Sequence, residues 1–282
     1  MPALGILVSV LMESLKVTLF VLVMMVAVDF INVKTKGKLE SILQTGNEWK
    51  QYIVSSILGS APGCLGSFAG VSLYIHGMIS LGALTGLMLA TSGDEAFVML
   101  AMIPDTAIIL FAILFVIGIA AGYLTDFIIK KYKIKTCTDC EFKQYHPGEE
   151  GYKHYFEDHI WTHIIKGHLI RIFLWTFGAL LVVEYAMTFF DLESITSEYT
   201  FLLLVLGALI GLIPESGPHL IFVMLFAKGL IPFSVLLTSS VVQDGHGMLP
   251  MLSYSLKDSV LIKVFNLAFG LILGIIIYFL GF

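Results

Sequence analysis

Residues 57–75, ILGSAPGCLGSFAGVSLYI, and residues 209–227, LIGLIPESGPHLIFVMLFA, are two apolar stretches broken at the same place. Pro62 lies over Pro214 at an offset of 152, and the same offset carries Gly77 onto Gly229 and Gly93 onto Gly245. Inside a bilayer each unpartnered backbone amide or carbonyl is costly. Non-helical backbone therefore survives there only where protein or a water-filled cavity surrounds it. Matched Pro and Gly breaks in two apolar runs thus predict interrupted helices that line a shared cavity.

Composition makes the bilayer the natural solvent. Apolar residues are 57% of the 282 positions and charged residues 13%, against about 25% charged in an ordinary soluble domain. Apolar runs of spanning length, about 20 residues, occur near 5–31, 51–75, 78–103, 105–129, 169–190, 199–227, 231–256 and 259–281. The opening run continues past Glu13 and Lys16 to Asp29 and lacks a basic leader, so it reads as a retained helix rather than a secretory signal. The expected fold is an all-α polytopic membrane protein. Its parts are a first transmembrane repeat over 1–130, a cytoplasmic Cys/His-rich linker over 131–167 and a second repeat over 168–282. A net charge of −5 leaves no basic face for nucleic acid, and three cysteines make no disulfide framework.

Charge in the loops orients the two repeats oppositely. Lys and Arg in short loops favour the cytoplasmic side. The loop after the first run carries Lys34, Lys36 and Lys38, whereas its counterpart FDLESITSE has Asp191, Glu193 and Glu198 and no basic residue. Pro104 and Asp105 stand without positive charge, while Lys257 and Lys263 mark the corresponding region of the second half, and the linker opens with Lys130, Lys131, Lys133 and Lys135. Placing the first loop and the linker on one side requires an even number of crossings, yet three runs lie between them. One run is therefore expected to enter and leave on the same side. The choice falls on 51–75, broken at APGC, as a re-entrant hairpin, followed by a spanning helix broken at TSGDE. IPESGPH and QDGHG repeat the pattern. Extra crossings, up to ten in all, are the competing arrangement. At an offset of 155 the opening helices also align, with Glu13 on His168, Lys16 on Arg171 and Asp29 on Glu184.

Polar residues cluster at the breaks. Cys64, Ser67, Thr91, Ser92, Asp94 and Glu95 stand in one half, and Glu215, Ser216, His219, Gln243, Asp244 and His246 in the other. Charges at membrane depth usually mark an ion or substrate path; serines there serve as readily as glue between helices. The binding set expected from this pattern is Cys64, Asp94, Glu95, Glu215, His219, Gln243, Asp244 and His246. It is net negative, opposed within these segments only by Lys228, and so favours a cation. Oxygen and imidazole donors with one thiol suit manganese, iron(II), zinc or cobalt rather than a soft ion that wants several thiolates. Half-helix N-termini at the breaks speak instead for an anion. A proton counter-flow is the natural coupling, since protons compete for the same carboxylates.

The linker carries a second constellation. Cys137, Cys140, His159 and His163 form C-x2-C-x18-H-x3-H, which fits a structural zinc staple with a longer central gap than a usual finger. Reduced cysteines beside interfacial histidines are the plainer alternative.

GSAPGCLGSFAG, ATSGDEAFVMLAMIP, GLIPESGPHLIFVMLFAKGLIPFSVL and SSVVQDGHGMLPML together resemble the prokaryotic heavy-metal exporter family nominally assigned ten transmembrane helices, over nearly the whole chain. Some of its members are labelled arsenic efflux proteins and others manganese transporters. The resemblance implies a transporter in the prokaryotic plasma (inner) membrane, with the lipid bilayer and a metal ion as partners and no enzymatic role. A homo-oligomer stays open. An intramembrane enzyme is disfavoured because no H-E-x-x-H occurs and TSG precedes Asp94. A carrier of an oxyanion or organic anion on the same scaffold is the stronger rival.

Overall fold

The computed structural model describes residues 6–19, 22–23, 48–75, 77–136, 170–189, 196 and 198–281, and every regular element among them is helical. Residues 6–19 form α1. Then follow α2 (Glu48–Ser60), α3 (Leu65–Ile75), α4 (Leu81–Ala90), α5 (Glu95–Met102), α6 (Pro104–Tyr132) and α7 (Ile170–Phe189). The rest of the chain gives α8 (Thr200–Gly211), a 3-10 turn at Gly217–His219, α9 (Leu220–Ala227), α10 (Phe233–Val242), a second 3-10 turn at Gly245–Gly247, α11 (Met248–Tyr254) and α12 (Leu256–Phe279). The proposed zinc ligands Cys137, Cys140, His159 and His163 lie outside the described residues.

Local chemistry sets these boundaries. Ser80 caps α4 by accepting the Ala83 amide, Ser255 caps α12 by accepting the Asp258 amide, and Pro104 opens α6, where its missing N–H costs nothing. The element pattern recurs at the offset of the sequence breaks: α2 and α8 begin 152 residues apart, as do α4 and α10. Backbone angles recur with it, since φ is +70° at Gly77 and +71° at Gly229, and +55° at Gly93 and +56° at Gly245. These left-handed positions are where glycine is least costly.

Small residues let the helices close on one another. A methyl group at Gly118 of α6 would lie 2.7 Å from the Gly86 carbonyl oxygen of α4, and one at Gly86 would strike the Gly118 carbonyl. Gly270 and Gly274 of α12 receive Val242 and Thr238 of α10 in the same way. Such close approach is how helices associate where no hydrophobic force drives them together. Both α6 and α12 are long and apolar enough to cross a bilayer. Their outer faces show Ile108, Val116 and Phe127, or Val260, Val264 and Ile272, while Thr125, Asp126, Asp258, Ser259 and Asn266 turn inward. Polar inside and apolar outside is the distribution a lipid-facing protein requires. α4 is buried along its whole length, as is α10 from Ser234 to Val242.

The helix ends fall into two groups. At one end Lys130 pairs with Glu48 at 2.6 Å, Lys257 donates to the Lys135 carbonyl at 2.6 Å and the Tyr74 hydroxyl donates to Asp258 at 2.8 Å. Here α2 starts, α3 stops, α6 stops and α12 starts. The Asp126 carboxylate accepts the Gly82 amide at 2.8 Å, which brings the start of α4 to the same end. At the far end of α12, the Tyr278 ring lies 6.0 Å from Phe201 at the start of α8, and Phe226 of α9 meets Phe233 of α10 at 6.4 Å. Thus α2–α3 begins and finishes at the basic end, whereas α8–α9 begins and finishes at the other. α4 and α10 consequently run in opposite directions.

Two expectations about charge are corrected. Lys263 does not belong to a loop; it stands inside α12, because the apolar stripe on either side extends the helix from Leu256. Lys228 does not oppose the polar cluster. It pairs with Glu184 of α7, where each neutralises the other near the helix ends.

Candidate functional site

The interruptions at Ala61–Cys64, Thr91–Asp94, Ile213–Ser216 and Gln243–Gly245 meet one another inside the bundle. The Ala61–Cys64 turn between α2 and α3 meets the Thr91–Asp94 break between α4 and α5: the Gly63 amide donates to the Gly93 carbonyl at 3.1 Å, and the Cys64 thiol donates to Asp94 Oδ1 at 3.3 Å. From the other half, Gln243 Nε2 donates to the Thr91 carbonyl at 3.1 Å. Thr91 and Gln243 are themselves 152 residues apart, so this bond joins equivalent positions. A methyl group at Gly93 would lie 2.6 Å from Ser216 Oγ, and one at Gly245 would lie 3.1 Å from the same oxygen and 3.5 Å from the Gly93 Cα. Only glycine fits at that crossing. Ser67 closes on Gly247, which leaves no room for a side chain there either.

The polar residues at the breaks divide by their neighbours. Cys64, Asp94, Ser216 and Gln243 meet around the crossing, with Glu95 next to Asp94 in the chain, and each is buried. His219 and Asp244 are equally buried: His219 Nδ1 lies 3.1 Å from Ser239 Oγ of α10, and Asp244, between Gln243 and Gly245 at the edge of the crossing, is held by Asn266 of α12. Glu215 is half-buried at the Ile213–Ser216 tip. The side chain of His246 is outside the described residues.

Buried polar atoms normally find partners. Ser92 Oγ, Glu95 Oε2, Ser216 Oγ, His219 Nε2 and Gln243 Oε1 do not. Two of these acceptors, Ser216 Oγ and Gln243 Oε1, face the Gly93–Gly245 crossing directly, the latter within 3.9 Å of a methyl group at either glycine. Unmet acceptors beside a thiol–carboxylate pair form a receptive set for a ligand that brings positive charge or hydrogen-bond donors. Among the described residues no three Cys, His, Asp or Glu side chains gather closely enough to hold a metal by themselves. A metal there would draw on Ser216, Gln243 and broken-helix carbonyls as well.

The chain matches the family described as "Putative, 10TM heavy-metal exporter" over residues 3–179 and 168–281. It belongs to that family. No curated protein and no solved structure matches the chain. The chain is therefore a multi-pass membrane protein of that family, and its interior crossing gathers several of the unmet polar atoms.

Sequence reasoning gave no interior role to Lys263 or Asn266. Lys263 Nζ lies 2.6 Å from Asp244 Oδ2, and Asn266 Nδ2 donates to Asp244 Oδ1 at 3.1 Å. The spacing of Lys263 and Asn266, three apart on one helix face, was the available signal. Assigning Lys263 to a loop hid it.

Proposed function

We propose that this protein is a secondary transporter that exports a divalent heavy-metal cation, manganese- or iron-like, through the crossing between two inverted-topology repeats. The observation that carries the proposal is the contact of Cys64 with Asp94 beside Glu95, opposite the unmet oxygens of Ser216 and Gln243. Carboxylates, one thiol and neutral oxygens are a borderline donor set, suited to first-row divalent ions. Carbonyls freed at the helix breaks add oxygen ligands that offset lost hydration.

The inverted arrangement is supported by the helix ends. α2–α3 and α8–α9 behave as re-entrant hairpins from opposite faces, and α4–α5 and α10–α11 as broken spanning helices. At 1.5 Å per residue, the 13 residues of α2 reach about 20 Å, too short for a hydrocarbon core of about 30 Å. Counting the opening helix, two hairpin limbs, one broken helix and one long helix gives five apolar segments per half. That reconciles ten nominal segments with three true crossings per half, the odd number inversion needs. Rocking of one half against the other then opens the crossing to each face in turn, with protons moving the opposite way.

Transport into proteoliposomes of Mn2+, Fe2+, Co2+ and Zn2+ tests this proposal. Replacing Asp94 and Glu95 together by Asn and Gln is expected to lower metal flux at least about tenfold, the scale of one lost charge interaction. Undiminished flux in that double variant would remove the cation site.

An oxyanion, arsenic species included, is the second reading. It is favoured by a separate observation: the N-terminal ends of α3 and α5 lie at the crossing, and the partly buried cation Lys263 sits on Asp244 beside it. Helix N-termini favour negative charge. Arsenite and arsenate belong in the same flux panel.

A further inference from the structure

The ion pair of Asp244 and Lys263 belongs to one half alone. Carried back by 152, Asp244 falls on Ser92, Lys263 on Phe111 and Asn266 on Leu114. The first half therefore has no such pair at its equivalent position, although its backbone turns match. A charge pair withdrawn from water costs more in desolvation than it commonly returns, so it is weak evidence for stability alone. Packing does not require it either, because Phe111 and Leu114 fill the equivalent places with apolar groups.

Its position gives it another use. Asp244 is the residue between Gln243, which bonds Thr91 across the halves, and Gly245, which abuts Gly93. Its side chain is fully buried, and Asn266 fixes one oxygen at 3.1 Å while the Lys263 ammonium holds the other at 2.6 Å. Lys263 also reaches the Gly211 carbonyl at 3.4 Å, at the end of α8 before the tip that carries Glu215 and Ser216. The ammonium thus occupies the place a cation would take, bound to a carboxylate and a freed carbonyl at once.

We propose that Lys263 is a tethered cation that competes with the transported metal for Asp244. With the crossing empty, the ammonium satisfies Asp244 and keeps the buried carboxylate from standing alone. Arrival of a divalent ion displaces the ammonium toward Gly211. Its return expels the ion on the other face. Lys263 is in this sense a positioning residue that sets affinity and release without moving with the cargo. The inference rests on the cation reading above.

Equilibrium binding to the full chain in detergent checks it, with Mn2+ as probe read by the electron paramagnetic signal of the free ion and Zn2+ in parallel. Lys263→Met removes the competitor and is expected to tighten Mn2+ binding by about tenfold or more, while slowing release from proteoliposomes. Lys263→Arg keeps the charge and grips a carboxylate with two parallel hydrogen bonds, so it is expected to weaken Mn2+ binding relative to the wild type. In Asp244→Asn/Lys263→Met the gain should vanish. Wild-type binding with an unchanged or looser Lys263→Met variant overturns the tethered cation and leaves the cargo reading standing. If Lys263→Met does not fold, an Arg variant that binds as tightly as wild type overturns it instead. Absence of binding in every variant, with arsenate or arsenite bound by the wild type and lost in Lys263→Met, removes the cation reading together with the inference.

Discussion

Asp126 illustrates how single carboxylates organise this interior. One oxygen accepts the Tyr52 hydroxyl at 2.8 Å and also the Ser80 hydroxyl, and the other accepts the Gly82 amide at 2.8 Å. Three donors from α2 and the start of α4 converge on one side chain of α6, which places negative charge at a helix N-terminus where the dipole favours it. Replacing Asp126 by Ala is expected to cost about 2–3 kcal/mol, since the donors are left buried without a partner, and a thermal unfolding series in detergent would read it. Tyr52→Phe should cost less, about 1 kcal/mol, because two donors remain. If both variants unfold like the wild type, the carboxylate is not the tie. Nothing in the run 105–129 set Asp126 apart, as its counterpart at the repeat offset is Tyr278. Residues at the breaks were legible because Pro62, Pro214, Gly93 and Gly245 announce non-helical backbone. Partners that depend on helix rotation, such as Lys263 for Asp244, were not.

Helices here meet through glycine, and the tolerance of each glycine depends on what its neighbour can yield. At Gly118 a methyl group would lie 2.7 Å from a backbone oxygen of α4 and 2.9 Å from Ser56 Oγ of α2. Backbone cannot step aside, so Gly118→Ala is expected to destabilise by about 1–3 kcal/mol, as overpacking does. At Gly207 of α8 the nearest atoms belong to the Phe222 ring at 3.4 Å. Gly207→Ala should therefore be neutral or stabilising by up to about 1 kcal/mol, because alanine is the better helix former. Paired melting curves check the contrast, and equal effects at the two sites would contradict the packing described. Element boundaries were more legible than contacts. The hydropathy run 51–75 and its APGC interruption already fixed where α2 ends and α3 begins, since Pro62 cannot continue a helix and Gly63 adopts φ of +94°. The pairing of Gly86 with Gly118 had no such mark, because a glycine in an apolar run serves equally a lipid face or a helix contact.

For the molecule as a whole, the proposed opposite orientation of the halves makes a prediction independent of cargo. With Cys64, Cys137 and Cys140 replaced by Ser, a cysteine introduced at Lys36 should react with an impermeant maleimide only from the cytoplasmic side, and one at Glu193 only from the other. Labelling of both from one face would rule out inversion. The same chemistry on the native linker cysteines, with and without a zinc chelator, asks whether Cys137 and Cys140 are ligands, since a bound metal shields its thiolates.

The bond from Gln243 to the Thr91 carbonyl has a consequence for descent. It spans the point where the two halves coincide under their shared offset. Two separate copies of either half, inserted in opposite senses, would bring each residue there against its own twin, and a charge pair such as Asp244 with Lys263 would then have to appear on both sides or on neither. An interior that carries the pair once needs the two sides to be written independently. Joining the halves in one polypeptide supplies that freedom.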